Sequence, residues 1–181
     1  VGNLEKYGWD DNGGVLEYPT EQDLLDNWAH VLFENNGEID RLNGCPLTHG
    51  EMQQILEQIV ELRTPMKLNG FINGKTVSIK RDNPDDELHL GKEVSLKIYD
   101  RREIAAGMSR YQIARQPHFS TRSEMLDQRR GDLMLLINGM PVIHIELKGS
   151  NAPVGQACEQ IKKYAHEGVY TGIFSLVQIF V

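Results

Sequence analysis

The feature that most constrains this chain is a pair of apolar runs, residues 132–137 and 142–148, separated by Asn138-Gly139. Asn and Gly both tolerate positive φ, which the tightest hairpin turns demand, so the two runs read as antiparallel strands. Side chains alternate along a strand, placing Val142, His144, Glu146 and Lys148 on one face and Ile143, Ile145 and Leu147 on the other, which reads as core. Charged residues at i and i+2 on so apolar a strand are costly unless they meet a partner, a metal ion or the edge of a cleft. Whether Asp132 joins them depends on loop parity. A two-residue turn sets Asp132 opposite Ile145, on the wrong face. A three-residue loop with Gly139 left-handed, or an equivalent bulge, sets it opposite Glu146, and this arrangement is the one expected.

Around the hairpin the chain alternates helices and strands. Residues 1–19 lack periodicity and read as an irregular arm, followed by a single domain over 20–181. Thr20 begins a helix with Leu24, Leu25, Trp28, Val31 and Leu32 on one side. The capping box Thr48-His49-Gly50-Glu51 begins a second, with Met52, Ile55, Leu56, Ile59 and Leu62 as its stripe. Residues 65–91 are punctuated by Gly and Asn, with a strand at 76–79; further strands are expected at 93–100 and 111–114. Residues 117–130 read as a polar loop. After the hairpin come a helix over 153–167 and a strand near the C-terminus. The fold class is α/β, a mixed central sheet flanked by helices.

Several classes drop out. No apolar run approaches the roughly 18 residues that span a bilayer, and the N-terminus has no signal-peptide pattern. Cys45 and Cys158 are far apart, which fits free thiols in a reducing cytoplasm. The first residue is not Met and the last run is apolar, as expected of a fragment of a longer protein. Net charge is −7, and residues 1–60 hold 12 acids against Lys6 and Arg41, a poor balance for autonomous nucleic-acid binding. Residues 101–130 hold seven Arg against Glu103, Glu124 and Asp127, leaving room for local phosphate contact.

With Asp132 opposite Glu146, two carboxylates and the Lys148 ammonium converge. Such a set suits metal-assisted phosphodiester hydrolysis: oxygen ligands hold Mg²⁺, and the lysine orients water or offsets transition-state charge. Spacing alone leaves a strand-end Glu–Lys ion pair open as the alternative. Gln160 and Tyr164 lie one turn apart on the next helix, on one face. His144 lies near this set and reads as a packing or supporting residue rather than a base. The Gly70…Asn73-Gly74-Lys75-Thr76 run is one residue short of a phosphate-binding loop and reads as a hairpin turn; Cys45-Pro46-Leu47-Thr48-His49 has no second half to make a zinc site.

The run from Arg129 to Lys148, with its INGMPVIHIELK wording, then Gln160-Ile161-Lys162-Lys163-Tyr164 and Val177-Gln178-Ile179-Phe180-Val181, resembles the N-terminal nuclease domain of the restriction (R, motor) subunit of type I restriction-modification enzymes. That family lies within the PD-(D/E)xK nuclease superfamily. The likeness is strong over 109–181 and continuous in order over 17–108. It implies a restriction-endonuclease-like core that cleaves DNA in restriction of foreign DNA, with Mg²⁺, or Mn²⁺ in its place. It implies that Asp132, Glu146 and the Leu147 carbonyl bind the ion and that Lys148 is catalytic. It also implies that Gln160 and Tyr164 hold DNA or order the site, a role extended to the neighbouring Arg129 and Arg130. The family's first-helix acid matches Glu21, with Asp23 as competitor. Gly131-Asp132 replaces the usual Pro-Asp, which alters backbone stiffness but removes no ligand. Implied partners are duplex DNA and the modification and specificity subunits, with ATP used only by helicase and translocase domains beyond this fragment. Two other readings stay open: another PD-(D/E)xK phosphodiesterase such as a DNA repair nuclease, and a non-catalytic nuclease-like docking module.

Overall fold

The computed structural model describes residues 2–9, 15–62, 64–72, 76–98, 109–120, 129–151, 153 and 155–181. The chain divides into two compact units, one made of Val1–Leu24 and Arg110–Val181, the other of Leu25–Ser109. Among the described residues, no helix is long and apolar enough to cross a membrane.

The first unit holds a five-stranded mixed sheet. Its strands are β1 (Leu16–Glu17), β4 (Tyr111–Arg115), β7 (Leu133–Ile137), β8 (Met140–Ile145) and β9 (Ile179–Phe180), and they lie side by side in that order. β1 runs parallel to β4 and β9 parallel to β8, whereas β4–β7 and β7–β8 are antiparallel. A two-stranded ladder, β5 (His118–Phe119) with β6 (Arg129–Arg130), occupies the expected polar loop, whose residues 121–128 lie outside the described set. Helix α1 (Gly2–Glu5), helix α5 (Gly155–His166) and a 3₁₀ turn (Gly172–Leu176) complete the unit. The segment expected to be an irregular arm therefore supplies one helical turn and one edge strand. Two residues of parallel pairing are too short to leave an alternating pattern in the sequence.

Both faces of the sheet are covered. On one, Ile113, Leu133 and Leu135 form a buried cluster against which Leu4, Trp9, Val15, Ile143 and Ile145 pack. The other carries aromatic rings: Phe119 lies 5.5 Å from the ring of His144, 5.9 Å from Tyr164 and 4.8 Å from Phe174. Ile143 and Ile145 are half-buried, as core-face residues, but Leu147 is 59% exposed, contrary to its expected place. The reason is that β8 ends at Ile145, so Leu147 lies beyond the ladder that would have carried it inward.

The hairpin resolves the parity question. Asn138 and Gly139 both have positive φ, 50° and 82°, and Ile137 pairs with Met140, so the turn itself has two residues. The register then shifts between Leu135 and Leu136: Leu136 faces Pro141 while Leu135 faces Ile143, leaving Val142 as the extra residue of a bulge. From there Leu133 pairs with Ile145, which extends to Asp132 opposite Glu146. The expected alternative of a bulge is the one used.

The second unit contains the greater part of α2 (Glu21–Asn36), with α3 (His49–Val60), α4 (Pro65–Ile72) and the hairpin β2 (Thr76–Lys80) with β3 (Glu93–Lys97). The expected stripes are buried: Leu25, Trp28, Val31 and Leu32 on α2, and Met52, Ile55, Leu56 and Ile59 on α3. Thr48 caps α3 in a complete box with Glu51. Helix α4 was not expected; its signal is Thr64, whose hydroxyl accepts from the Lys67 amide, just ahead of Pro65 in the first turn. The 73–75 segment of the supposed phosphate-binding look-alike lies outside the described residues. So do Arg101, Arg102 and Arg122 of the Arg-rich stretch. A buried ion network anchors the segment after β2. Arg81, 1% exposed, donates to Glu51 at 2.6 Å, to Asp86 at 2.9 Å and to the Cys45 carbonyl at 3.1 Å.

Candidate active site

Asp132 precedes β7 and Glu146 follows β8, so the bulge places them side by side at one end of the central hairpin. Asp132 accepts a 2.7 Å hydrogen bond from the Leu147 amide, which ties the start of one strand to the residues beyond its neighbour. Glu146 is 6% exposed and its amide donates to the Val181 carbonyl at 2.9 Å, so its backbone is held from the β9 side. Its buried carboxylate conflicts with a simple solvent-facing strand end.

Helix α5 completes the group. The Gln160 amide nitrogen donates to Glu146 Oε2 at 2.8 Å and to the Tyr164 hydroxyl at 2.6 Å. The Gln160 carbonyl oxygen accepts from Lys148 Nζ, and that ammonium lies 3.6 Å from Glu146 Oε2. Tyr164 donates in turn to the Arg130 carbonyl at 3.1 Å. One turn of helix thus joins the E-x-K strand end to the segment leading into Asp132 (Gln160 and Tyr164 are i and i+4). Burial pushes the Glu146 carboxyl upward, but His144, Lys148 and Asp132 together hold it below the usual carboxylate value. Burial raises the Tyr164 hydroxyl, and the nearby Glu146 and Asp132 charges add to this, keeping it a donor.

On the other side of Glu146, His144 is fully buried. Its Nε2 lies 3.1 Å from Glu146 Oε1, close enough for an ion pair but out of line for a hydrogen bond, so both buried atoms go without one. Its Nδ1 meets the Tyr170 hydroxyl at 2.8 Å. Tyr170 and the close approach of Gly131 are features that motif spacing does not reveal. A Cβ at position 131 would come within 2.8 Å of His144 Nε2 and 2.9 Å of Phe119 Cε2. That contact explains why glycine precedes Asp132.

The other candidates sort by their contacts. Asp23 accepts from the amide and hydroxyl of Thr20 at 2.8 and 2.6 Å, and Thr20 accepts from the Asp23 amide, so Asp23 caps the start of α2. Those bonds hold its carboxyl below the ordinary value. Glu21 instead turns toward the 3₁₀ turn, where a Cβ on Gly172 would collide with its carboxylate. Burial raises its carboxyl, offset in part by a hydrogen bond from the Ile173 backbone. These contacts favour Glu21 over Asp23 as the unusual acid, at the 172–173 turn. Arg129 is committed to Glu167 through two hydrogen bonds, at 2.8 and 2.7 Å, whereas the Arg130 side chain is exposed. Arg129, Glu159, Gln160, Lys163 and Tyr164 line a shallow cleft of about 280 Å³ beside the group.

No cluster of three or more His, Cys, Asp or Glu side chains able to hold a metal occurs among the described residues. The donor set around Asp132 and Glu146 is instead two carboxylates beside backbone, and the Glu146 Oε1 atom accepts no hydrogen bond. Hard oxygen donors with an open buried oxygen fit a divalent ion that keeps several waters.

A family model described as type I restriction enzyme R protein N terminus matches residues 4–181. A type I restriction enzyme endonuclease subunit of Staphylococcus saprophyticus is 33% identical over 161 residues, covering 89% of this chain and 15% of that protein. An endonuclease subunit of the same type from Staphylococcus aureus is 30% identical over 162 residues, covering 87% of this chain and 15% of its own length. The chain thus spans about 15% of the length of the curated relatives it matches. With the match running through both compact units and the whole of the Asp132–Tyr164 group, the chain belongs to the family of type I restriction enzyme R protein N-terminal regions.

Proposed function

We propose that this chain is the DNA-cleaving part of a type I restriction enzyme and hydrolyses phosphodiester bonds at Asp132, Glu146 and Lys148. The observation that carries the reading is the bulged register, which sets Asp132 opposite Glu146 while Gln160 ties Glu146 to Lys148. A strand-end ion pair needs neither the bulge nor the glutamine.

Asp132, Glu146 and the Leu147 carbonyl are the residues to hold Mg²⁺, or Mn²⁺ in its place. When bound, such an ion polarises a phosphoryl oxygen and lowers the pKa of a coordinated water. Lys148 is fixed by the Gln160 carbonyl oxygen and directs its ammonium at the attacking water and at the negative charge developing on the phosphoryl oxygens. Water adds to phosphorus, losing its proton to solvent, as the bond to the leaving oxygen breaks and that oxygen takes a proton from solvent, with no covalent enzyme intermediate. Tyr164 fixes Gln160, and Arg129 fixes the end of α5 through Glu167, so both order the site. The exposed Arg130 side chain is placed to meet a DNA phosphate. Glu21 is the first-helix acid and acts from the 172–173 turn. In this reading the partners are duplex DNA and the modification and specificity subunits, and ATP is used by other domains of the longer subunit.

The test is DNA cleavage by the intact subunit with different ions. Mg²⁺ and Mn²⁺ should support cutting, whereas Ca²⁺ should bind without supporting it, because its looser coordination makes it a weaker Lewis acid. Full cleavage in chelator contradicts the mechanism.

A further inference from the structure

We propose that His144 is a positioning residue for Glu146: seated in the space that Gly131 leaves open and oriented by Tyr170, its imidazole fixes the Glu146 carboxylate for divalent-ion binding. The inference rests on the reading of Glu146 as a metal ligand and adds a residue that does not itself touch the ion.

Four contacts define the imidazole. Its plane is stacked on Tyr164, 9° from parallel with centroids 6.0 Å apart, and it packs at a tilt of 55° against Phe119. Its Nδ1 meets the Tyr170 hydroxyl at 2.8 Å, and its Nε2 faces Glu146 Oε1 at 3.1 Å. A bare lone pair on Nε2 facing a carboxylate oxygen is repulsive, so the chemistry places a proton there, and the Tyr170 hydroxyl then donates into Nδ1 in the neutral ring. Burial and the nearby Glu146 and Tyr164 raise the Tyr170 hydroxyl well above its usual value, which keeps that donor in place.

Glu146 is thereby confined from two sides: Oε2 is bound by the Gln160 amide, and the imidazole lies 3.1 Å from Oε1 without taking its lone pairs in a hydrogen bond, which leaves them open to an ion. A glutamate has three side-chain torsions, and confining the carboxylate between Gln160 and the imidazole removes freedom that ion binding would otherwise have to freeze. The Gly131 backbone belongs to the same device. Any side chain there enters the space of Nε2, so glycine beside Asp132 and histidine two residues before Glu146 depend on one another.

The test is calorimetric titration of this chain with Ca²⁺, a hard ion for which imidazole is a poor ligand, so that a loss on changing His144 does not report direct ligation. His144→Phe keeps the ring packing and deletes both nitrogens; its Ca²⁺ affinity should fall about 10–100-fold. His144→Gln, which retains an N–H donor, should recover part of the loss. Tyr170→Phe should lose less than His144→Phe, and it carries the test should the latter fail to fold by circular dichroism. In cleavage by the intact subunit, His144→Phe should lower kcat and leave KM for DNA unchanged. Wild-type Ca²⁺ affinity in the folded His144 and Tyr170 variants, with affinity lost in Glu146→Ala, overturns this inference alone. Wild-type affinity in Asp132→Ala and Glu146→Ala overturns the metal reading and this inference with it.

Discussion

Gln160 makes contacts that a helix-packing residue would not need: its nitrogen reaches Glu146 and Tyr164, and its oxygen accepts from Lys148. Replacing it with Ala releases Lys148 and Glu146 while leaving both present. Cleavage by Gln160→Ala should fall about 10–100-fold, and by Tyr164→Phe less, because losing the hydroxyl removes its bonds to Gln160 and the Arg130 carbonyl but leaves Gln160 joined to Glu146 and Lys148. Steady-state cleavage rates check this, and a wild-type rate in the double variant returns the pair to simple packing. Glu21 offers a separate test by pH. Its folded carboxyl lies above the ordinary 4.5 because burial disfavours the charge. Stability contributed by a raised group is fully present below the unfolded value and is lost as pH rises through the folded one. Glu21→Gln should therefore gain stability relative to wild type as pH rises from 4 toward 7, as read by urea denaturation. A difference that is flat with pH contradicts the raised carboxyl.

At the scale of elements, the central hairpin was readable because Asn138-Gly139 and the apolar alternation are strong local signals, and even the bulge followed from requiring Asp132 and Glu146 to share a face. Which residue bulged was not readable: Val142 is apolar like its neighbours, and only the ladder shows that it has no partner. Gly139 has φ 82°, so Gly139→Ala should cost about 1 kcal/mol and lower Tm by about 2–4 °C in a thermal melt. The buried network of the second unit was hidden for another reason. Glu51 was visible as a capping residue, but its carboxylate also accepts from Arg81 and from the Asp82 amide, contacts about thirty residues away along the chain. No periodicity reports such pairing. Glu51→Ala removes the glutamate half of the capping box and leaves Arg81 with Asp86 as its one carboxylate partner in the network. It should destabilise by about 3–5 kcal/mol in urea melts, far beyond the roughly 1 kcal/mol of an ordinary cap.

For the whole molecule, charge decides how the site meets its substrate. Non-specific DNA affinity comes largely from Lys and Arg replacing counterions on phosphates, and a body at −7 opposes it. Arg129 is already committed to Glu167, which leaves Lys163 in the lining of the cleft and the exposed Arg130, next to Arg129 in sequence, to attract the backbone. This chain should bind duplex DNA with Kd above about 1 µM at near-physiological salt, the range of purely electrostatic contact. Arg130→Ala should weaken it further, by fluorescence anisotropy, whereas Arg129→Ala should act mainly through stability. Sub-micromolar binding contradicts this view. On the proposed function, tethering to duplex-holding domains of a longer subunit would substitute local concentration for intrinsic affinity.

Cleavage and ATP hydrolysis, measured on the same samples of the intact subunit carrying Asp132→Ala, Glu146→Ala or Lys148→Ala, test directly whether these three residues cut DNA. Each variant should lose about 10²-fold or more in cleavage while ATP hydrolysis stays near the wild-type rate, since the lost group acts only on phosphodiester chemistry. Wild-type cleavage by the Lys148 variant, or by either carboxylate variant, would contradict the assignment of this site.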